Sequence, residues 1–234
     1  MKANRILIKL SWEALSDGTS MFAYDKIATL AKHLFTVAQS GKQLAVVCGA
    51  WNIRRYRDTK DAGIDRVKSD HLGMMWTVMN AVMLNEKYIQ AWWKWIVACA
   101  KWMHISPLTT HYNALTARHK MIQWTVVFCA GGTWNPYSTT DLGAVLRALE
   151  LQCEILIKVT KVDGVYDKDP HLYSDAKRFD ALTLAQADEL NLHIMDHSAI
   201  GMARENKLAI FVCHIDQLAA LANGTAKGTM VTPE

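Results

Sequence analysis

Residues 125–158 read TVVFCAGGTWNPYSTTDLGAVLRALELQCEILIK, and this stretch decides the fold. Thr125–Cys129 is a continuous run of β-branched and apolar residues, the pattern of a strand buried on both faces. Gly131-Gly132 breaks it. Thr139–Leu151 then spaces its apolar residues at helical intervals, with Asp141 in the first turn, where a carboxylate meets the positive end of the helix dipole. Ile155–Lys158 returns to strand. Strand, helix and strand in this order form a β-α-β unit, whose two strands lie parallel with the helix crossing between them.

The same alternation runs outward in both directions. Arg5–Leu10 (RILIKL) and Leu44–Cys48 (LAVVC) read as strands, as do residues 95–100 and Ile210–Cys213. Asp25–Ser40 carries apolar residues at 27, 30, 31, 34, 35 and 38, which is helical spacing, and Gly41 stops it. Leu72–Tyr88, Asn113–Ile122, Leu182–Asn191 and Ser198–Lys207 read as further helices. The expected fold is α/β, a three-layer sandwich with a mostly parallel central sheet between helices. One domain with two lobes, meeting near residue 150, accounts for the whole chain.

Composition sets the outer bounds. The 234 residues are 51% hydrophobic and carry 26 basic against 22 acidic side chains, so disorder and a collagen-like chain are excluded. A net charge of +4 with no concentrated basic stretch is no nucleic-acid footprint. Cys48, Cys99, Cys129, Cys153 and Cys213 sit in apolar runs without a C-x-x-C pair, which predicts buried free thiols and a cytoplasmic protein. Residues 1–5 lead into a run broken by Lys9, unlike a signal peptide. The apolar region Trp92–Ile105 is interrupted by Lys94, Lys101 and His104 and is too short to span a bilayer. His193, His197 and His214 lack a carboxylate partner at ligand spacing, so no protein metal site is expected, and no G-x-S-x-G marks a hydrolase. Punctuation is scarce: 12 Gly stand where roughly 16 would be usual, beside 9 Trp.

In a parallel sheet, ligands bind beyond the carboxyl ends of the strands. The segments after residues 10, 48, 129 and 158 are therefore the informative ones: Lys9–Glu13, Gly49–Arg55, Gly131–Asp141 and Lys158–Pro170. Each offers backbone N–H groups, hydroxyls or cations near a helix start, the equipment for holding phosphate. Singly, each has a plainer reading. Gly131-Gly132 also makes a simple turn, Asp141 also serves only its helix end, Asp70 also reads as an N-cap, and Arg55 as a surface ion pair. Lys9 is harder to dismiss, because it stands inside an apolar strand run.

Together, in this order, the segments resemble bacterial UMP kinase of the amino-acid kinase family. The likeness is strongest at Lys158–Pro170, where KVTKVDGVYDKDP stands close to the family's KATKVDGVYDKDP. It continues through Ser69–Met74, Thr77–Asn80, Asn135-Pro136, Thr139-Thr140-Asp141, Asp175-Ala176-Lys177 and Met195-Asp196. The resemblance implies transfer of the ATP γ-phosphoryl group to UMP, with Mg²⁺ accompanying ATP. It implies a homohexamer, with GTP and UTP as regulators and the GTP-responsive segment near Asp17–Phe22. Residues 1–150 would form the UMP and oligomerisation lobe, and 151–234 the ATP lobe. Carried over by position, Lys9, Ser11, Trp12, Trp51, Arg55, Thr160, Tyr166 and Asp169 would line ATP. Ala50, Asp70, Thr133, Asn135, Thr139 and Thr140 would line UMP. Lys9 and Lys161 are candidate cations for the transferring phosphoryl, with Asp141 and Asp196 as their orienters or as Mg²⁺ contacts.

The chain also departs from the pattern. K-x-S-G-E has Trp12 at its glycine, G-G-G-N-x-x-R-G reads Gly49-Ala50-Trp51-Asn52-Ile53-Arg54-Arg55-Tyr56, and G-T-G-N-P has Trp134 at its second glycine. Trp76 replaces a small residue, Ala209 a proline, and Leu218-Ala219 a Pro-Gly. Glycine is used where φ is positive or where backbone touches ligand. Three readings of the indoles follow: they point outward, they weaken nucleotide binding, or they plug the cleft. The last would make the chain a non-catalytic oligomeric assembly protein, natural or redesigned. Trp92, Trp93, Trp95 and Trp102, interleaved with Lys94 and Lys101, read as a packing or subunit-interface face, with single-stranded nucleic acid as the alternative.

Overall fold

The structure is a computed structural model and describes residues 3–53, 63–89, 95–99, 108–192 and 194–234. Eleven strands are described: β1 (Arg5–Leu10), β2 (Gln43–Cys48), β3 (Trp95–Cys99), β4 (Thr110–His111), β5 (Val126–Ala130), β6 (Ile155–Thr160), β7 (Val165–Tyr166), β8 (Arg178–Phe179), β9 (Ala181–Thr183), β10 (Ala209–His214) and β11 (Thr229–Thr232). Nine form one sheet in the order β4-β3-β5-β2-β1-β6-β10-β11-β9, and β7 pairs with β8. The first seven in that order are parallel. β11 runs antiparallel to β10, with β9 parallel beside it. The expected parallel α/β sheet is thus what the chain forms, with a reversed pair at one edge.

Among the described residues, six α-helices cover the sheet: α1 (Tyr24–Gln39), α2 (Arg66–Ile89), α3 (Ala114–Ile122), α4 (Thr140–Glu150), α5 (Leu184–Glu189) and α6 (His197–Glu205). Strand alternation sorts the core into two halves. Ile6, Ile8 and Leu10 of β1 join Leu30 and Leu34 of α1 and Val78 and Leu84 of α2 on one face. Leu7 of β1 and Leu156 of β6 join Ala144, Val145 and Ala148 of α4 and Ala199 of α6 on the other. By the same period of two, Lys9 and Lys158 fall on the α4 face. The described thiols Cys48, Cys129, Cys153 and Cys213 are buried and in no disulfide, and burial pushes Cys48 up to about 12. No helix among the described residues is long and apolar enough to cross a membrane.

Two helix boundaries differ from the sequence reading. α2 begins six residues before Leu72 because Asp65 caps it: its Oδ1 accepts from the N–H groups of Val67 at 3.1 Å and Lys68 at 3.2 Å. Asp70 is therefore inside the helix and is not its cap. The expected helix Leu182–Asn191 splits, because Thr183 ends β9 and caps α5 through a reciprocal box with Gln186. The strand β11 was too short to show as a pattern. Trp92, Trp93, Trp102 and His193 lie outside the described residues, as does the face they were expected to build.

Scarcity of glycine has a local address. After α1, Gly41 takes φ +83°, the usual left-handed helix stop. The equivalent residues after α3, α4, α5 and α6 are Trp124, Gln152, Asn191 and Lys207, with φ between +50° and +59°. The following N–H still reaches back, as in Cys153 N–H to the Ala148 carbonyl at 2.8 Å and Leu208 N–H to Ala203 at 2.9 Å. A side chain in that geometry costs about 1–2 kcal/mol, which most non-glycine residues bear in full and Asn in part. Gln152 and Lys207 are exposed, so nothing is lost by trimming them. Gln152→Gly and Lys207→Gly are expected to stabilise the fold by about 1 kcal/mol each, net of the freer unfolded chain. Thermal melting should rise by roughly 2–4 °C per substitution; unchanged or lower midpoints for both would count against the strain.

Candidate active site

The carboxyl ends of β1, β2, β5 and β6 open onto a cleft of about 880 Å³. All four strand-end segments contribute to its wall, as the parallel topology requires. Lys9 and Lys158 lie directly opposite each other on β1 and β6. Asp141, in the first turn of α4, bridges them: Lys9 Nζ is 2.9 Å from Oδ1, and Lys158 Nζ donates to Oδ2 at 3.0 Å. Lys158 also donates to the Ile194 carbonyl. All three side chains are largely buried, with 10%, 13% and 17% exposure.

Burial works to raise the Asp141 carboxyl, but Lys158 and Lys9 outweigh it and hold the group below its ordinary value. For Lys158 burial wins: with repulsion from Lys9 it pulls the ammonium below its usual range against the attraction of Asp141. One carboxylate thus holds two cations that would otherwise repel, at the end of a sheet and under a helix N-terminus.

The helix ends are tied to one another. Thr139 caps α4, its Oγ1 accepting from Leu142 N–H at 3.0 Å while donating to Asp196 Oδ2. Asp196 caps α6, its Oδ1 accepting from Ala199 N–H at 3.0 Å. Two helix N-termini therefore converge beside the lysines, a favourable setting for an anion.

The other strand ends are anchored from α2. Asn80 donates to the Gly49 carbonyl at 2.6 Å and exchanges hydrogen bonds with Asn52, which fixes the loop carrying Ala50 and Trp51. Gly131 N–H donates to Thr77 Oγ1 at 2.9 Å. Gly132 has φ +57°, and a Cβ there would meet Met74 Cγ at 2.9 Å, so glycine is needed on both counts. Asp70 accepts from Arg66 Nε at 2.9 Å through both oxygens and from Tyr137 N–H at 2.7 Å.

Most of the expected site residues meet at this cleft. Ser11, Trp12, Ala50, Trp51, Asp70, Thr133, Thr139, Thr140, Thr160, Lys161, Tyr166, Asp169 and Asp196 all line it with Lys9 and Asp141. Ser11 donates to the Val159 carbonyl at 3.0 Å, and Tyr166 to Asp163 at 2.6 Å. Asn135 is exposed and is not part of the lining; its N–H donates to Thr133 Oγ1 at 3.1 Å. Arg55 lies outside the described residues. Lys161 is exposed on the wall, and the lysine paired with Lys9 through Asp141 is Lys158. The signal for Lys158 was available: like Lys9, it interrupts an apolar strand run. Arg147, buried in α4 and part of the lining, was also missed.

The three indoles do not converge. Trp12 and Trp51 line the cleft, with Trp51 61% exposed. Trp134 is not in the lining; at φ +62° it packs against the core and lies tilted against His71, with ring centroids 4.9 Å apart and planes at 39°. Of the three glycine replacements, Trp134 is the one with positive φ.

No group of three or more His, Cys, Asp or Glu side chains able to hold a metal occurs among the described residues. The carboxylates nearest the lysines are committed, Asp141 to Lys9 and Lys158, Asp196 to Thr139 and its helix. The described residues around the lysines therefore do not make a resident metal cage.

Fold and site define an α/β protein whose strand ends open onto a crevice floored by two lysines and one carboxylate. The amino acid kinase family matches residues 4–214. Curated relatives include the uridylate kinase of Bartonella quintana, 38% identical over 99% of this chain and 98% of the relative, and that of Xanthomonas campestris, 37% identical over 97% and 95%. Among solved structures, UMP kinase from Bacillus anthracis superposes with TM-score 0.95 at 28% identity, covering 100% of this chain and 98% of the other. UMP kinase from Ureaplasma parvum gives 0.90 at 29%, covering 99% and 100%. The chain belongs to the amino acid kinase family, and within it to the uridylate kinases.

Asp141→Asn should expose the constraint on the lysines. At neutral pH it leaves two close cations without their counter-charge and is expected to cost roughly 3 kcal/mol. Because folding lowers the Asp141 pKa, the carboxylate's contribution is complete above its ordinary value of 3.8 and is lost as pH falls through the lower folded value. The gap between parent and variant in urea melts should therefore close in strong acid. Equal midpoints at neutral pH would show that the bridge is not holding the site.

Proposed function

We propose that this protein is a uridylate kinase that moves the γ-phosphoryl group of ATP onto UMP, giving ADP and UDP. The observation that carries the reading is the Lys9–Asp141–Lys158 bridge at the floor of the cleft. Phosphoryl transfer passes through a loose transition state with charge spread over equatorial oxygens, so catalysis is positioning and neutralisation. Lys9 and Lys158 are the cations for that charge, and Asp141 keeps them side by side. The acceptor is a phosphate oxygen of UMP, with a second pKa of about 6, so it is already ionised at neutral pH. No general base is required, which suits a carboxylate held in its ionised form.

Thr160, Lys161, Tyr166 and Asp169 form the ATP side, with Lys9, Ser11, Trp12, Trp51 and Arg55 toward its phosphates. Ala50, Asp70, Thr133, Thr139 and Thr140 form the UMP side, with Asn135 bonded to Thr133 just outside the lining. Asp196 holds the α4 and α6 ends together beside the transferring group. Mg²⁺ supplies charge neutralisation on the ATP phosphates. The lobe 1–150 thus holds the acceptor and faces the ATP phosphates, and 151–234 holds the nucleoside end of ATP, in a cytoplasmic homohexamer open to GTP and UTP control. A second reading, an assembly protein with a blocked cleft, draws on Trp12 and Trp51 in the lining. The cleft volume of about 880 Å³ favours the kinase.

A coupled assay should find ADP release that depends on UMP. Lys158→Met should lower kcat by about a hundredfold or more while leaving the fold intact. No UMP-dependent ADP release by the parent chain would sink the reading. Trp12→Gly separates the two accounts of the indoles: if Trp12 crowds the ATP phosphates, KM for ATP falls on trimming it. An unchanged KM places the indole clear of the nucleotide.

A further inference from the structure

Arg147 is a charged residue on the inner face of α4 that the transfer chemistry leaves unused. It is 8% exposed. Its Nη1 donates to Glu150 Oε2 at 2.5 Å, and its Nη2 donates to the Gly132 carbonyl at 2.9 Å. Its Cζ lies 4.2 Å from the centre of the Tyr112 ring, within cation–π range. The Tyr112 hydroxyl closes the circuit by donating to the same Glu150 oxygen at 2.7 Å. Burial costs the guanidinium solvation, and Glu150 more than restores its charged form. A buried cation with a paired carboxylate, a ring face and one backbone carbonyl is an expensive arrangement.

What that arrangement fixes is one peptide plane. Gly132 is free to rotate as no other residue is, and Met74 confines it from the α2 side. Arg147 grips its carbonyl from the α4 side. Because a trans peptide sets C=O and the next N–H in opposite directions, the Thr133 N–H is aimed away from Arg147 once the Gly132 carbonyl is held. Gly132, Thr133 and Arg147 all line the cleft.

We infer that Arg147, braced by Glu150 and Tyr112, is a positioning residue that sets the Gly132–Thr133 peptide for the acceptor nucleotide's phosphate. This rests on the uridylate kinase reading and specifies one device within it. It also makes Tyr112, just after the edge strand β4, a structural link between the sheet edge and the acceptor loop. The guanidinium fork, not charge alone, carries the role, since it must reach Gly132 and Glu150 at once.

The test compares Arg147→Lys and Tyr112→Phe with the parent, reading KM for UMP, KM for ATP and kcat, with thermal melting alongside. Arg147→Lys is expected to raise KM for UMP by about tenfold, with KM for ATP and kcat within about twofold, because one misaimed donor weakens one ligand. Tyr112→Phe removes only the hydroxyl and should move KM for UMP in the same direction by a smaller factor. If both variants melt lower but keep the parent's KM for UMP, or if both nucleotides weaken equally, Arg147 is a packing residue and the inference fails. If the parent itself neither binds UMP in calorimetry nor releases ADP, the kinase reading fails and takes this inference with it. If Arg147→Lys does not fold, Tyr112→Phe alone decides by the same KM comparison.

Discussion

One carboxylate between two lysines governs this structure. Lys9 and Lys158 face each other across adjacent parallel strands, a juxtaposition that like charges resist. Asp141 makes it tolerable, and can do so only from the first turn of α4. That requirement fixes where α4 begins, hence the path of the loop from β5, hence the shape of the cleft. The Thr139 cap and its bond to Asp196 bring α6 to the same point. The strand ends, two helix ends and the cations are thus one electrostatic object, and the surrounding hydrophobic layers hold it in place.

Much of this was legible in the residues. Buried strand runs such as Leu44–Cys48 and Thr125–Cys129 announced a parallel sheet, and the four strand-end segments were the right places to look. Short elements were not legible. β4, β7, β8 and β11 have two to four residues each, too few for a period to emerge. The start of α2 was missed because Asp65 caps as well as Asp70 would, and local sequence does not say which is used. Lys158 was passed over for Lys161, although strand parity alone puts Lys158 on the α4 face with Lys9. Arg147 was invisible for another reason. A lone Arg on a helix reads as surface, and its partners Tyr112 and Gly132 come close only in three dimensions.

Tryptophan and glycine change meaning when placed in the fold. One reading of the sequence had three indoles plugging the cleft, yet they have three different environments. Trp134 is packed beside His71, Trp51 is mostly in solvent, and Trp12 sits in the lining. The shortage of glycine shows more plainly at helix ends, where Trp124, Gln152 and Lys207 adopt backbone geometry that glycine takes freely. Composition located a strain in the chain but not its address.

The position of β1 bears on how the protein is made. The first strand of the chain lies inside the sheet, with β2 on one side and β6 on the other. On a ribosome, β2 follows within a few dozen residues, but β6 is about 150 residues away, which at 5–20 residues per second is a wait of roughly 7–30 s. Through that interval one hydrogen-bonding edge of β1 has no native partner, and Lys9 has neither Asp141 nor Lys158. The floor of the cleft is therefore among the last features to form, although Lys9 is translated about 150 residues before Lys158. A nascent chain of this design needs its early strand edge shielded, by its own helices or by a chaperone, until the second half arrives.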